Sequence, residues 1–88
     1  MKEFLLDKKI ALITGGNGGI GFGIAEGLSK NGATVIIAGR NQSKNDIALK
    51  ELRKLNKKND SITLDVNNQS SITECVNYVS KKFGRIDI

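Results

Sequence analysis

The sequence predicts an α/β fold, a parallel sheet with helices on its faces. Three observations carry this. Short apolar runs alternate with longer segments of helical periodicity. The first of those runs is apolar without a break, as in a strand covered on both sides. A glycine-dense loop stands where that strand gives way to the first helix.

The elements follow in order. Residues 8–14 read KKIALIT, and the apolar run at 10–13 predicts the first strand. Glycine dominates residues 15–23, and a helical pattern starts at Ile20, with Ile20, Ile24 and Leu28 on one face at spacings of four. Asn31 and Gly32 end that helix, Gly32 suiting a left-handed terminal position. Residues 34–38 (TVIIA) predict the second strand, and Asn41 is placed to cap the helix that follows. Its inner stripe is Ala48, Leu52 and Leu55, with the basic residues outside. Residues 62–64 predict a short third strand ending at Asp65, and Asn67 or Asn68 caps a third helix with the stripe Ile72, Val76, Val79 and Phe83. Gly84 closes it, and residues 85–88 read as a fourth strand cut short. The order is β-α-β-α-β-α-β, for which right-handed crossovers are expected. No proline, linker or repeat marks an internal boundary, so residues 1–88 are read as one partial domain.

Composition narrows the function classes. Hydrophobic residues make up 39% and charged residues 26%, as in soluble globular proteins rather than disordered ones. The formal charge is +5, and Lys50, Arg53, Lys54, Lys57 and Lys58 crowd one segment against a single acid, Glu51. No aromatic residue interleaves with these cations, so they read as a solvated helix face and not as a nucleic-acid surface. With no histidine, His-ligated metal and His general bases are excluded within the chain. The lone Cys75 cannot form an internal disulfide and reads as a packing residue, and a cytoplasmic location is expected. No apolar run approaches the roughly 20 residues of a membrane span, and residues 1–6 lack a signal-peptide pattern.

Residues 14–21 read TGGNGGIG, directly after a strand and opening a helix, the context expected of a dinucleotide-binding loop. Glycines let the backbone turn tightly beside a pyrophosphate, and the helix start offers free N–H groups and positive potential. Three glycine spacings fit: Gly16, Gly18 and Gly21; Gly15, Gly19 and Gly21; or Gly15, Gly18 and Gly21. No Gly-Lys-Ser/Thr follows, which argues against an ATPase phosphate loop.

With these motifs the chain resembles the short-chain dehydrogenase/reductase family. TGGNGGIG is similar to that family's cofactor loop, Leu64-Asp65-Val66 to the strand-end segment whose acid contacts the adenine amine, and FGRIDI at 83–88 to the lead-in to its fourth strand. The resemblance covers residues 6–88 and implies a Rossmann-type doubly wound parallel sheet, present here as its N-terminal portion. It also implies a parent enzyme that interconverts an alcohol and a carbonyl with a nicotinamide dinucleotide, and a homo-oligomeric one. NGGIG and AGRN look most like sugar-acid or polyol dehydrogenases within the family. The residues expected to hold the cofactor are Thr14, Gly15, Asn17, Gly18, Gly19, Ile20 and Gly21 in the loop, Arg40 and Asn41 after the second strand, and Asp65 and Val66 after the third.

An acid at the end of the second strand usually bonds the adenosine ribose of NAD. Gly39 stands there, followed by Arg40, whose guanidinium suits a 2′-phosphate. NADP(H) is therefore expected, with NAD(H) the alternative. Gly18 fills the loop position where some family members carry a second basic residue.

The family's catalytic Ser, Tyr and Lys lie in later segments, so no catalytic residue is assigned and the chain alone is expected to be inactive. Tyr78 and Lys82 match Y-x-x-x-K but precede the fourth strand, and read as an accidental pair one helical turn apart. Two other readings remain: a fragment of a nucleotide-sugar epimerase or dehydratase, whose loop also fits, and a non-catalytic dinucleotide sensor. A nucleic-acid binder is the weakest.

Overall fold

A computed structural model describes residues 8–84; the expected fourth strand at 85–88 lies outside the described residues. The described elements are β1 (Ile10–Thr14), α1 (Gly19–Lys30), β2 (Thr34–Gly39), α2 (Gln42–Leu52), β3 (Asp60–Thr63) and α3 (Gln69–Phe83). The three strands form one parallel sheet in the order β1-β2-β3, with Ile10 opposite Thr34 and Ile36 opposite Asp60. This is the Rossmann-type arrangement expected, as far as the described strands extend.

Strand alternation sends successive side chains to opposite faces. Ala11, Val35 and Ile37 pack with Ala25, Ala48 and Leu52, so α1 and α2 cover one face. Ile10 and Ile36 pack with Val79, and Ala38 with Leu64 and Cys75, so α3 covers the other. Val35, Ile36 and Ile37 are wholly enclosed, which explains the unbroken apolar run of β2.

Helix ends follow the sequence. The Asn41 side chain accepts from the Lys44 N–H, and that of Asn68 accepts from the N–H groups of Ser70 and Ser71. Gly84 ends α3 in the left-handed conformation.

The inner stripes need correction. Ile20 is 85% exposed and Ile24 51%, while Ala25 and Ser29 are the buried residues of α1. The helix lies close against the strands through small residues, which turns its isoleucines outward. In α3, Cys75 is buried and Val76 is exposed, so the stripe runs Ile72, Cys75, Val79, Phe83. Leu55 lies beyond the end of α2, exposed, and Leu49 with Asn45 fills the inner face instead. The third strand starts two residues earlier than expected, and Leu64 is buried just after it.

Candidate dinucleotide site

The carboxyl ends of β1 and β2 set the site. The Gly15 N–H donates to the Ala38 carbonyl at 2.8 Å, so the glycine loop leaves β1 tied to the end of β2. Gly15 and Gly19 have φ of 72° and 57°, values that favour glycine. A Cβ on Gly21 would collide with the Gly15 carbonyl, so the first turn of α1 rests on the loop itself. Of the three candidate spacings, Gly15, Gly19 and Gly21 is therefore the one in which every glycine has a structural task; Gly18 is extended and faces open space.

Among the described helices, α1 alone has no side-chain cap, and no acid stands in its first turn. Its leading N–H groups and positive dipole end are left for an anion. Together with the close glycine approach, this arrangement fits a pyrophosphate.

Beside the loop lies a cleft of about 310 Å³. Thr14, Gly15, Asn17, Arg40, Asn41 and Val66 line it, so six of the eleven expected residues come together. Gly18 and Gly19 border a smaller hollow between α1 and α2, which Asn17 also reaches. Ile20 points outward from the start of α1, and Gly21 is held inside its first turn. Asp65 does not line the cleft: its carboxylate accepts from the Asn67 N–H at 3.0 Å, and its own N–H donates to Ser71 Oγ at 3.0 Å, shaping the turn into α3. Asn41 borders the cleft, but its side-chain oxygen is engaged in capping α2.

Two residues of the site were not singled out by the sequence. Lys44, in the first turn of α2 and four positions after Arg40 in the chain, lines the cleft with it. Asn45 is fully buried and accepts from Asn17 Nδ2 at 2.9 Å, while its own Nδ2 donates to the Gly39 carbonyl at 3.0 Å. The available signal was its spacing: positions 45, 48, 49 and 52 share one helical face, so an amide there points inward. None of the described residues that line the cleft is a carboxylate.

The family model of short chain dehydrogenases matches residues 9–88. The chain belongs to the short-chain dehydrogenase/reductase family. Among curated relatives it is 41% identical over 85 residues to a peroxisomal 2,4-dienoyl-CoA reductase of Danio rerio, covering 96% of this chain and 28% of that protein. It is 46% identical over 83 residues to a 3-oxoacyl-[acyl-carrier-protein] reductase of Buchnera aphidicola, covering 92% and 32%. The chain thus spans about a third of the length of these curated relatives. Among solved structures, an NAD⁺-bound xylitol dehydrogenase superposes with a TM-score of 0.90 at 27% identity, covering 93% of this chain and 32% of that one. An RhlG/NADP complex from Pseudomonas aeruginosa also gives 0.90, at 29% identity, covering 99% and 34%. Structural neighbours in this family therefore include one with each nicotinamide cofactor.

The short-chain dehydrogenase motif Y-x-x-x-K has a match in Tyr78 and Lys82, but these lie at the amino end of β3, away from the glycine loop at the carboxyl ends. Tyr78 Oη donates to Asp60 Oδ2 at 2.6 Å and Lys82 Nζ donates to the same oxygen at 2.7 Å. Arg53 stands 3.6 Å from the other carboxylate oxygen. Burial disfavours the charge on Asp60, yet the bonds from Lys82, Tyr78 and the Ser61 N–H outweigh it and hold the carboxyl below its usual range. The Asp60 hydrogen bond in turn raises Lys82. The pair joins α3 to β3.

Proposed function

We propose that the chain forms the adenosine-side half of the dinucleotide site in an NADP(H)-preferring oxidoreductase that interconverts an alcohol and a carbonyl. One observation carries the cofactor preference. Arg40 and Lys44 share the wall of the cleft beside the glycine loop, β2 ends in Gly39, and none of the described residues that line the cleft is a carboxylate. A 2′-phosphate is met there by a guanidinium fork and by a second cation. Among the described residues lining the cleft, none is an acid that would repel it or accept from a free ribose hydroxyl. The nicotinamide ring, when bound, supplies or takes up the hydride. The residues of this chain hold the other end: the loop and the start of α1 take the pyrophosphate, and Arg40 with Lys44 takes the ribose phosphate. Family membership supports a small alcohol or carbonyl substrate, with polyols and sugar acids the first to assay.

The test is the affinity of the intact natural protein for NADPH and NADH, measured by fluorescence titration. A hydrogen bond to a charged group contributes about 1.5–3 kcal/mol. Both cations are exposed, so the lower end applies, roughly a tenfold loss for each of Arg40→Ala and Lys44→Ala. That loss should fall on NADPH and spare NADH. Equal weakening of both cofactors, or of neither, would overturn the preference.

A further inference from the structure

We infer that Asn45 and Gly39 are positioning residues for Asn17, and that the Asn17–Asn45 amide pair fills the space an NAD-type carboxylate would need. This rests on the dinucleotide reading above and deepens it: the choice of cofactor is held by packing as well as by charge.

The argument begins with what is unusual about Asn45. It sits on the inner face of α2 among Ala48, Leu49 and Leu52, where an apolar residue would pack without further requirement. A buried amide is tolerated only when its hydrogen bonds are made. Here they are made, and they lead out of the core: one to the Gly39 carbonyl at the end of β2, one from Asn17 in the glycine loop. Asn45 therefore ties the loop to the strand end whose residue sets cofactor choice in such folds.

Gly39 is the second part. It is not among the glycines with positive φ, so its backbone does not call for glycine. The space around it does. A Cβ at position 39 would lie 2.6 Å from Asn17 Nδ2 and 2.9 Å from Asn45 Oδ1, on both atoms of the bond that joins them. Any side chain at 39 must first push the Asn17 amide off Asn45. The common exchange toward NAD(H), an acid at this position, thus has to displace the amide pair before charge is considered. Asn17 lines the cleft, so its displacement disturbs the wall that faces the adenosine.

Two measurements on the intact natural protein decide the matter. The first needs no ligand: exchange of the Asn17 side-chain amide protons by NMR. It should be slow in the native protein and fast in Asn45→Ala and in Gly39→Ala, both still melting cooperatively. Unchanged Asn17 exchange in Asn45→Ala would overturn the pairing. The second is affinity for NADPH and NADH in Asn17→Ala, Asn45→Ala and the double variant. Each single change should weaken NADPH by roughly fivefold to tenfold, and the double should match Asn17→Ala alone. Independent, multiplying losses would overturn the positioning role. Gly39→Asp alone should gain no NADH affinity, whereas Gly39→Asp with Asn17→Gly should gain it; a gain in the single variant would also overturn the proposal. A native protein that binds neither dinucleotide would remove the cofactor reading, and the exchange result would still decide the amide pair.

Discussion

At the scale of single residues, Asp60 shows how a short motif can mislead. Its side chain is only 10% exposed, and it gathers Tyr78 and Lys82 from α3 and Arg53 from just past the end of α2. The partners lie 18 and 22 positions away along the chain for Tyr78 and Lys82, so the Y-x-x-x-K spacing shows the helical neighbours and hides the acid they share. Asp60→Asn should destabilise the fold by about 1–3 kcal/mol, nearer the lower figure because Lys82 and Arg53 face solvent. The pH dependence has a definite sign. A carboxyl whose folded pKa is lowered contributes stability above its unfolded value, near 4, and loses it as pH falls through the folded value. Native protein should therefore weaken in acid below about pH 4 more steeply than the Asn variant; parallel acid melts for the two would count against the assignment. Among the cleft residues, Arg40 was legible because its chemistry stands at a recognisable strand end. Lys44 and Asn45 were not, because a lysine and an asparagine in a polar helix look alike until the helix phase is known.

At the scale of elements, what was legible was local. The first three strand runs, the Asn41 and Asn68 caps and the Gly84 stop depend on neighbours in sequence, and these appear in the structure. The phase of a helix depends on what it packs against, and there periodicity went astray in part: Ile20, Ile24 and Val76 stand exposed, whereas Leu28, Ala48, Leu52, Ile72, Val79 and Phe83 pack inward. Cys75 and Val76 are the sharpest case, at 2% and 43% exposure. Cys75→Ser buries a hydroxyl against Ala38 and Leu64 and should cost about 1–3 kcal/mol in denaturant melts. Val76→Ser should stay within about 0.5 kcal/mol; the reverse ranking would restore the phase read from sequence. Burial also pushes the Cys75 thiol up, so native protein should react slowly with thiol reagents at neutral pH.

At the scale of the whole molecule, the described sheet is three strands wide, with β1 outermost and paired to β2. Ile20 and Ile24 stand exposed on the helix that follows β1. The first strand of a doubly wound sheet is ordinarily central, and apolar surface at a sheet edge invites association. Residues 1–88 expressed alone should therefore scatter light increasingly with concentration and show no carbonyl-dependent NADPH oxidation. A monomer that melts cooperatively would show a self-sufficient domain. The parallel sheet with helices on its faces was legible from the alternation of strands and helices, whereas the exposed isoleucines were not, because a sequence pattern does not say which face of a helix meets its neighbour.

The bare start of α1 has a consequence for heat and time. Two of the described helices carry their own asparagine caps, whereas the start of α1 carries none. On the function proposed above, a dinucleotide at that terminus would act as a missing piece of the fold, raising the melting temperature with ligand concentration as mass action requires. On that reading the backbone amides of residues 19–21 become occupancy reporters, exchanging with solvent at a rate set by how often the seat is empty, whereas the Phe22 N–H already donates to the Gly18 carbonyl. If the proposed function holds, a cell short of this nucleotide would hold the protein in its most perishable form.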